Sequence, residues 1–160
     1  MRRTDREITD FHEMMEILKS CDCCRIGLLD GQEAYIVPMN FGYEECGEHL
    51  TLYFHSAGEG KKMELLKQQT AITFEMDTRH ELVEGDVACA YSYLYQSVMG
   101  SGIAAVLQEP AEKKYALQRI MAHYSGQTEW TFQDEMVKKV AVFKIDVLHW
   151  SCKAHRQVVH

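Results

Sequence analysis

His55, Lys61 and Lys62 bracket a run of small residues, Ser56-Ala57-Gly58-Glu59-Gly60, and residues of these types at this spacing suit anion binding. The run carries little side-chain bulk, so a ligand can approach its backbone N–H groups closely. The two lysines fall where the first turn of a helix leaves N–H groups without partners. An anion there gains from those donors, from the helix dipole and from the ammonium charge together. A phosphate is the natural guest; the competing explanation is a plain strand-to-helix connection with solvated lysines. Neither common nucleotide signature is present. A P-loop would need a glycine at His55 and Ser or Thr after Gly60-Lys61, where Lys62 stands. Met63 occupies the place of the third glycine of a dinucleotide fingerprint.

Other groups with chemical potential are more scattered. Gln96 and Ser97 put an amide and a hydroxyl inside the otherwise aromatic and aliphatic run Tyr91–Leu107. If buried they need partners, which a heteroaromatic ligand with donors and acceptors would supply; alternate residues facing water would account for them equally. Trp150, near the end of the last apolar run, either covers a flat ring or closes the end of a barrel. Cys21, Cys23 and Cys24, with Cys152 and His155, raise the question of a metal. CxCC followed by one CxxH is not a recognised ligand pairing, so no metal is expected and most of the cysteines read as free thiols in or beside a core. Eight histidines and six cysteines guarantee chance combinations, and no hydrolytic triad stands out. Glu81 and Glu84 read as a solvated face.

The elements that must hold these groups follow from periodicity. Leu50, Leu52 and Phe54 alternate with Thr51, Tyr53 and His55, the pattern of a strand with His55 at its exit, and a helix follows from Lys61 to about Gln68. Upstream, residues 1–8 form a charged arm or edge strand. Asp10 and Glu13 make an acidic capping box for a helix through Phe11, Met14, Met15, Leu18 and Cys21. Cys24–Leu29 and Ala34–Tyr43 read as a hairpin turning at Asp30-Gly31. Pro38 removes a ladder donor, so the second strand is bulged or at an edge there, which can free backbone groups for a ligand. Strands are expected at Ala71–Asp77, Tyr91–Leu107 and Val140–Leu148, with Gly100 and Gly102 where a barrel strand bends sharply. Pro110 opens a helix that Gly126 stops, and Thr131 or Asp134 caps a short one. The expected fold is mainly β: a six-stranded antiparallel barrel with peripheral helices, in one domain spanning 1–160 with a tail from 151.

Composition narrows the classes of function. Lys plus Arg number 17 against 24 Asp plus Glu, a net charge of −7 with no basic stripe, so nucleic acid is not an expected partner. The cysteines are irregularly placed behind no apolar signal segment, which points to a reducing cytoplasm. No apolar run approaches the roughly 20 residues of a membrane span. A chain of 160 residues is small for an enzyme that must also enclose a cofactor, so a subunit interface is a natural way to complete its site.

Four separated stretches, read in order, resemble one family. They are Arg25-Ile26-Gly27-Leu28; Tyr35-Ile36-Val37-Pro38-Met39-Asn40-Phe41-Gly42-Tyr43; His55-Ser56-Ala57-Gly58-Glu59-Gly60-Lys61-Lys62; and Tyr95-Gln96-Ser97-Val98 with Gly100 and Gly102. The chain resembles the split-barrel FMN-binding proteins related to pyridoxamine 5′-phosphate oxidase, most closely their nitroimidazole-resistance (Nim) branch. The resemblance implies a homodimer with FMN at the subunit interface. His55, Ser56, Ala57, Gly60, Lys61 and Lys62 would cradle the phosphate and ribityl chain, with Lys61 or Lys62 making the charge contact. Val37, Pro38, Met39 and Asn40 would pass the flavin ring, and Gln96 and Ser97 would bind the ring or the phosphate end. Trp150 would reach the cofactor from the other subunit, His55 would stand on the substrate side, and Arg25 is a further phosphate candidate. The implied activity is that of a nitroreductase taking electrons from a donor such as NAD(P)H to a nitroimidazole or similar small aromatic acceptor. The alternative is a flavin- or haem-binding protein without turnover, and related split barrels bind haem or the deazaflavin F420. The arginine-rich tail of the vitamin B6 oxidases is not evident in Lys153-Ala154-His155-Arg156.

Overall fold

The structure, a computed structural model, describes residues 4–156. Its strands are β1 (Glu7–Ile8), β2 (Cys24–Asp30), β3 (Glu33–Met39), β4 (Phe41–Cys46), β5 (His49–Ala57), β6 (Ala71–Val83), β7 (Ser92–Leu107) and β8 (Val140–His155). The helices are α1 (Phe11–Ser20), α2 (Lys61–Gln68), α3 (Pro110–Ser125) and α4 (Asp134–Lys139). One antiparallel sheet runs in the order β3-β2-β6-β7-β8-β5-β4, with β1 added to the end of β8. The two outermost strands of this path, β3 and β4, are joined by the single residue Asn40. A chain that steps from one edge of a sheet to the other in one residue requires the sheet to be curled, so the edges meet at Asn40 and the sheet is a split barrel.

The mainly β, antiparallel class with helices at the periphery is as expected, and the strand count rises from six to eight for identifiable reasons. The run Ala34–Tyr43 is two strands, because Cys24 still pairs with Met39 whereas Phe41 pairs with Phe54. Pro38 lies on an edge strand in unbroken register opposite Arg25, so the ladder breaks at Asn40 and not at the proline. The charged stretch from His80 continues β6 beyond an irregularity between Thr78 and Glu81, where Arg79 has φ 55°, and Glu81–Val83 pair with Ser92–Leu94. The last strand extends to His155, so Ser151–His155 of the expected tail belong to the sheet. The α4 N-cap is Gln133, whose side chain makes no capping bond, in place of Thr131 or Asp134.

The inward residues Cys24, Ile26, Ile72, Phe74, Met76, Val98, Phe143 and Ile145 fill the barrel. Phe54 and Phe143, opposite each other in the β5–β8 ladder, stack at 5.0 Å. Asp10 accepts a hydrogen bond from Glu13 N–H at 2.9 Å, and α1 buries Met15, Ile17 and Leu18 in this core. On β5, Leu50 to Phe54 are all buried, odd and even positions alike. The alternation hides this because α3 covers the other face, where Tyr53, Leu107, Ala116, Ile120 and Val142 form a second cluster. Gly42 makes that docking possible. A Cβ at this position would lie 2.4 Å from Ile120 N and 2.5 Å from the carbonyl carbon of Arg119, so only glycine lets the helix backbone reach β4.

Candidate functional site

The start of α2 lies against β2 and the β3 edge of the split barrel. Gly60 is its N-cap with φ 109° and ψ 169°, a conformation open in practice to glycine, and its carbonyl accepts from Met63 N–H at 2.9 Å and Glu64 N–H at 3.1 Å. The N–H groups of Lys61 and Lys62 precede those bonds and have no intrahelical acceptor, and a glycine cap supplies no side-chain oxygen for them. Ser56 is spent locally, donating to the Ala57 carbonyl at 2.8 Å. Ala57 is exposed and closes the β5–β8 ladder opposite Val140.

The two lysines differ in a way that the sequence does not show. Lys61 is ion-paired with Asp30 and lies over the Tyr35 ring at 5.1 Å. It is exposed, and the Asp30 contact raises its pKa. Lys62 is half-buried; its ammonium touches the Met39 sulfur at 3.0 Å and, among the described residues, forms no ion pair. Burial depresses its pKa. An ammonium partly removed from water with only a thioether for company is costly, and an arriving anion offsets that cost.

His55 stands at the exit of β5 opposite Val142. It remains accessible to solvent, yet the protein around its ring and, to a smaller extent, the Lys62 charge hold its pKa below the ordinary imidazole value. The imidazole is therefore neutral at pH 7. Val37 packs on the core, Met39 is buried, and Asn40 is exposed and belongs to neither flanking ladder. Lys62 on Met39 and Lys61 on Tyr35 thus bring the small-residue turn, His55 and the Val37–Asn40 stretch into one place.

Other expected positions are engaged differently. Gln96 is 7 % exposed and Ser97 follows it on the opposite face of β7, so one flat ligand on the outer face meets Ser97 and not the Gln96 amide. Trp150 is half-buried, edge-on to Phe11 at 6.0 Å and packed against the core. Arg25 is held by Glu75 at 3.0 Å and Asp77 at 2.7 Å, a commitment that competes with any phosphate. Cys21, Cys24 and Cys152 are buried; burial pushes Cys21 and Cys152 up to about 12, far from thiolate reactivity at neutral pH. Among the described residues no group of three or more His, Cys, Asp or Glu is arranged to hold a metal ion.

A second feature concerns the outer surface of β3, β2, β6, β7 and β8. Leu29, Ile36, Met99 and Leu148 are each more than half exposed there, around grooves of about 420 and 350 Å³ that share Gly27 and Thr73. Neighbouring exposed apolar side chains are a feature that interaction surfaces commonly have. Sequence reading missed it because Ile36 and Met99 look like core residues until the register assigns them to the outside.

Two histidines make stability depend on pH. His123, its ring tilted against Phe41 at 4.5 Å, is also held below the ordinary imidazole value, chiefly by burial. With folded-state values of His55 and His123 below the unfolded value of about 6.5, the unfolded chain binds more protons as pH falls through that window, and stability is lost. Urea midpoints are expected to drop from pH 7.5 to 5.5, and by less in His123→Gln. A midpoint unchanged or higher at pH 5.5 would show that these rings are not held neutral. Glu44, held below the carboxylate range mainly by the Tyr115 hydroxyl, adds a separate loss at lower pH.

A family model for pyridoxamine 5′-phosphate oxidase matches residues 10–154. The structure also superposes, with a TM-score of 0.80 and 34% identity, on a candidate 5-nitroimidazole antibiotic resistance protein from Bacteroides thetaiotaomicron VPI-5482, covering 92% of this chain and 86% of that one. The chain belongs to the pyridoxamine 5′-phosphate oxidase family. A flavocytochrome from Azotobacter vinelandii (TM-score 0.79, 19% identity, 98% of this chain and 72% of that one) shares the fold. So does an FAD- and haem-binding protein from Mycobacterium smegmatis (0.79, 14%, 95% and 74%). A search of curated protein sequences found no match. No helix among the described residues is long and apolar enough to cross a membrane.

Proposed function

We propose that this chain is an FMN-binding oxidoreductase of the nitroreductase type, acting on nitroimidazoles or related small aromatic acceptors with electrons from a donor such as NAD(P)H. The observation that carries the reading is Lys62: a half-buried ammonium without an ion-pair partner among the described residues, at a glycine-capped helix start beside His55 and the Asn40 edge. A phosphate monoester carries about −1.5 to −2 charges and three acceptor oxygens, matching one ammonium and two free N–H groups. The likeness to the candidate nitroimidazole-resistance protein supports the choice of acceptor.

When bound, the flavin supplies the electron-transfer chemistry; the protein binds, orients and tunes it. Lys62 and the Lys61–Lys62 N–H groups hold the phosphate, Val37–Asn40 line the ring, and neutral His55 offers an N–H to an acceptor's oxygen. Gln96 is assigned to the barrel's interior. The apolar outer face takes a second copy of the chain, a homodimer that brings Ser97 and its neighbours toward the partner's cofactor. Composition and unpaired cysteines support the cytoplasm as its compartment.

Anaerobic reoxidation of the reduced, FMN-loaded protein by a nitroimidazole tests the activity. Rapid, acceptor-dependent reoxidation is expected. Its absence across a panel of nitroaromatics, with flavin still bound, would favour a storage or sensing protein, and a haem spectrum on the purified protein would replace the flavin outright. His55→Ala is expected to leave FMN affinity within about threefold of wild type and to slow reoxidation by at least about tenfold, a range ordinary for a positioned proton donor. Equal losses in both would move His55 from the acceptor side to cofactor binding.

A further inference from the structure

The last turn of α3 reaches across the molecule to the residue where the barrel splits. The Tyr124 hydroxyl donates to the Asp22 carbonyl at 2.7 Å and accepts from the Phe41 N–H at 3.2 Å. The Phe41 nitrogen belongs to the peptide that links Asn40 to Phe41, so the hydroxyl holds that peptide and ties it to Asp22. One residue earlier, His123 Nε2 lies 2.8 Å from the Cys21 carbonyl, so a neutral ring carries its proton on Nε2. Its ring lies tilted against Phe41 at 4.5 Å and meets Tyr43 and Tyr124 edge-on at 5.5 and 4.7 Å.

The Asn40–Phe41 peptide is what these contacts restrain. Asn40 has no Cα partner in either the β2–β3 or the β4–β5 ladder. The restraint comes from α3, which approaches closely because Gly42 has no side chain. The exposed Asn40 side chain leaves the main chain beside this restrained peptide, where a ligand can meet it. The same contacts tie the β3–β4 step to the loop after α1 through Asp22 and Cys21.

We propose that Tyr124 is a positioning residue of the cofactor site, with His123 in support: it holds Asn40 and the β3–β4 step in the orientation that meets the polar edge of the flavin ring. This rests on the FMN reading above and adds a residue remote in sequence from every stretch that carries the family resemblance. Tyr124 touches the ring only through Asn40, so the energetic effects of the two residues are coupled.

The test uses Tyr124→Phe, which keeps the ring packing and removes the hydroxyl, alongside Asn40→Ala, an exposed position where truncation leaves the core intact. In flavin-free protein, amide exchange at Phe41 is expected to accelerate by about tenfold or more in Tyr124→Phe, as loss of a hydrogen bond of ordinary strength implies. On titration with FMN, both variants are expected to bind about fivefold or more weakly and to shift the visible bands of the bound flavin, and the double variant is expected to bind no worse than Asn40→Ala alone. Unchanged Phe41 exchange would show that the clamp is not made. Faster exchange with wild-type affinity and spectrum, or losses that add in the double variant, would reduce Tyr124 to a structural role. If wild-type protein takes up no FMN, the FMN reading fails and the positioning role falls with it, an outcome separable from the others by the wild-type titration alone.

Discussion

Lys62→Ala is expected to weaken FMN binding by about 100-fold, whereas Lys61→Ala changes it by less than about threefold. The neighbouring lysines look equivalent in sequence, and their surroundings separate them. Lys61 has its charge answered by Asp30 and by the Tyr35 ring, is exposed, and exchanges one weak surface interaction for another when it is lost. Lys62 is half-buried against a methionine sulfur, with its pKa pushed down by desolvation. A charge-assisted contact to a phosphate in partly dry surroundings is worth about 1.5–3 kcal/mol, or roughly 10- to 150-fold in affinity. In flavin-free protein the same substitution removes a strained charge, so its melting temperature is expected to stay the same or rise. Titration calorimetry of the two variants with FMN, and thermal melts with and without it, decide the matter; a larger loss at Lys61 than at Lys62 would place the phosphate elsewhere.

The second large effect is on stability. Gly42→Ala is expected to cost about 3 kcal/mol, at the upper end for overpacking, because the new Cβ would meet backbone atoms of Arg119 and Ile120 and not a flexible side chain. For a chain of this size that corresponds to a fall of roughly 9 °C in melting temperature. The loss would fall on the α3 contact with β4 and β5, which buries Ala116 and Ile120 and aligns Arg119 with Glu44 at 3.1 Å. Exchange protection in the last turn of α3 is therefore expected to collapse before that of the β6–β7 ladder. A variant as stable as wild type would mean that the helix can slide away from β4 at little cost.

Much of the fold could be read from local signals. Asp10 caps α1 and bonds Glu13, Pro110 opens α3, Gly126 ends it at φ 70°, and Gly31 has φ 64° in the first hairpin, all as their residue types imply. What escaped depends on pairing between distant residues. The split at Asn40 is invisible locally because Ala34–Tyr43 is strand-like throughout, and only the change of partner from Cys24 to Phe54 divides it. Val83 and His155 extend their strands because β7 offers each a partner, overriding the charge of the first segment and the polarity of the second.

The candidate site divides the same way. The Gly60 cap and the two lysines at a helix start were legible, since composition and spacing alone create an anion-binding turn. The choice between the lysines was not, because Asp30 and Met39 reach them from other strands. Nor was the separation of Gln96 from Ser97 by strand alternation, because it needs the knowledge of which β7 face is covered. The Tyr124 contact with the Phe41 N–H carries no local signal at all: position 124 follows the apolar period of α3, and its hydroxyl finds the barrel edge only after Gly42 admits the helix.

The most direct measurement is a parallel titration of the purified protein with FMN and with riboflavin, which share the ring and differ in the phosphate. Binding of FMN, with riboflavin held about 100-fold or more weakly and this difference abolished in Lys62→Ala, is the predicted result. Failure to take up FMN, or equal affinity for the two compounds, would contradict the assignment of Lys62 and the α2 N-terminus as the phosphate end of a flavin site.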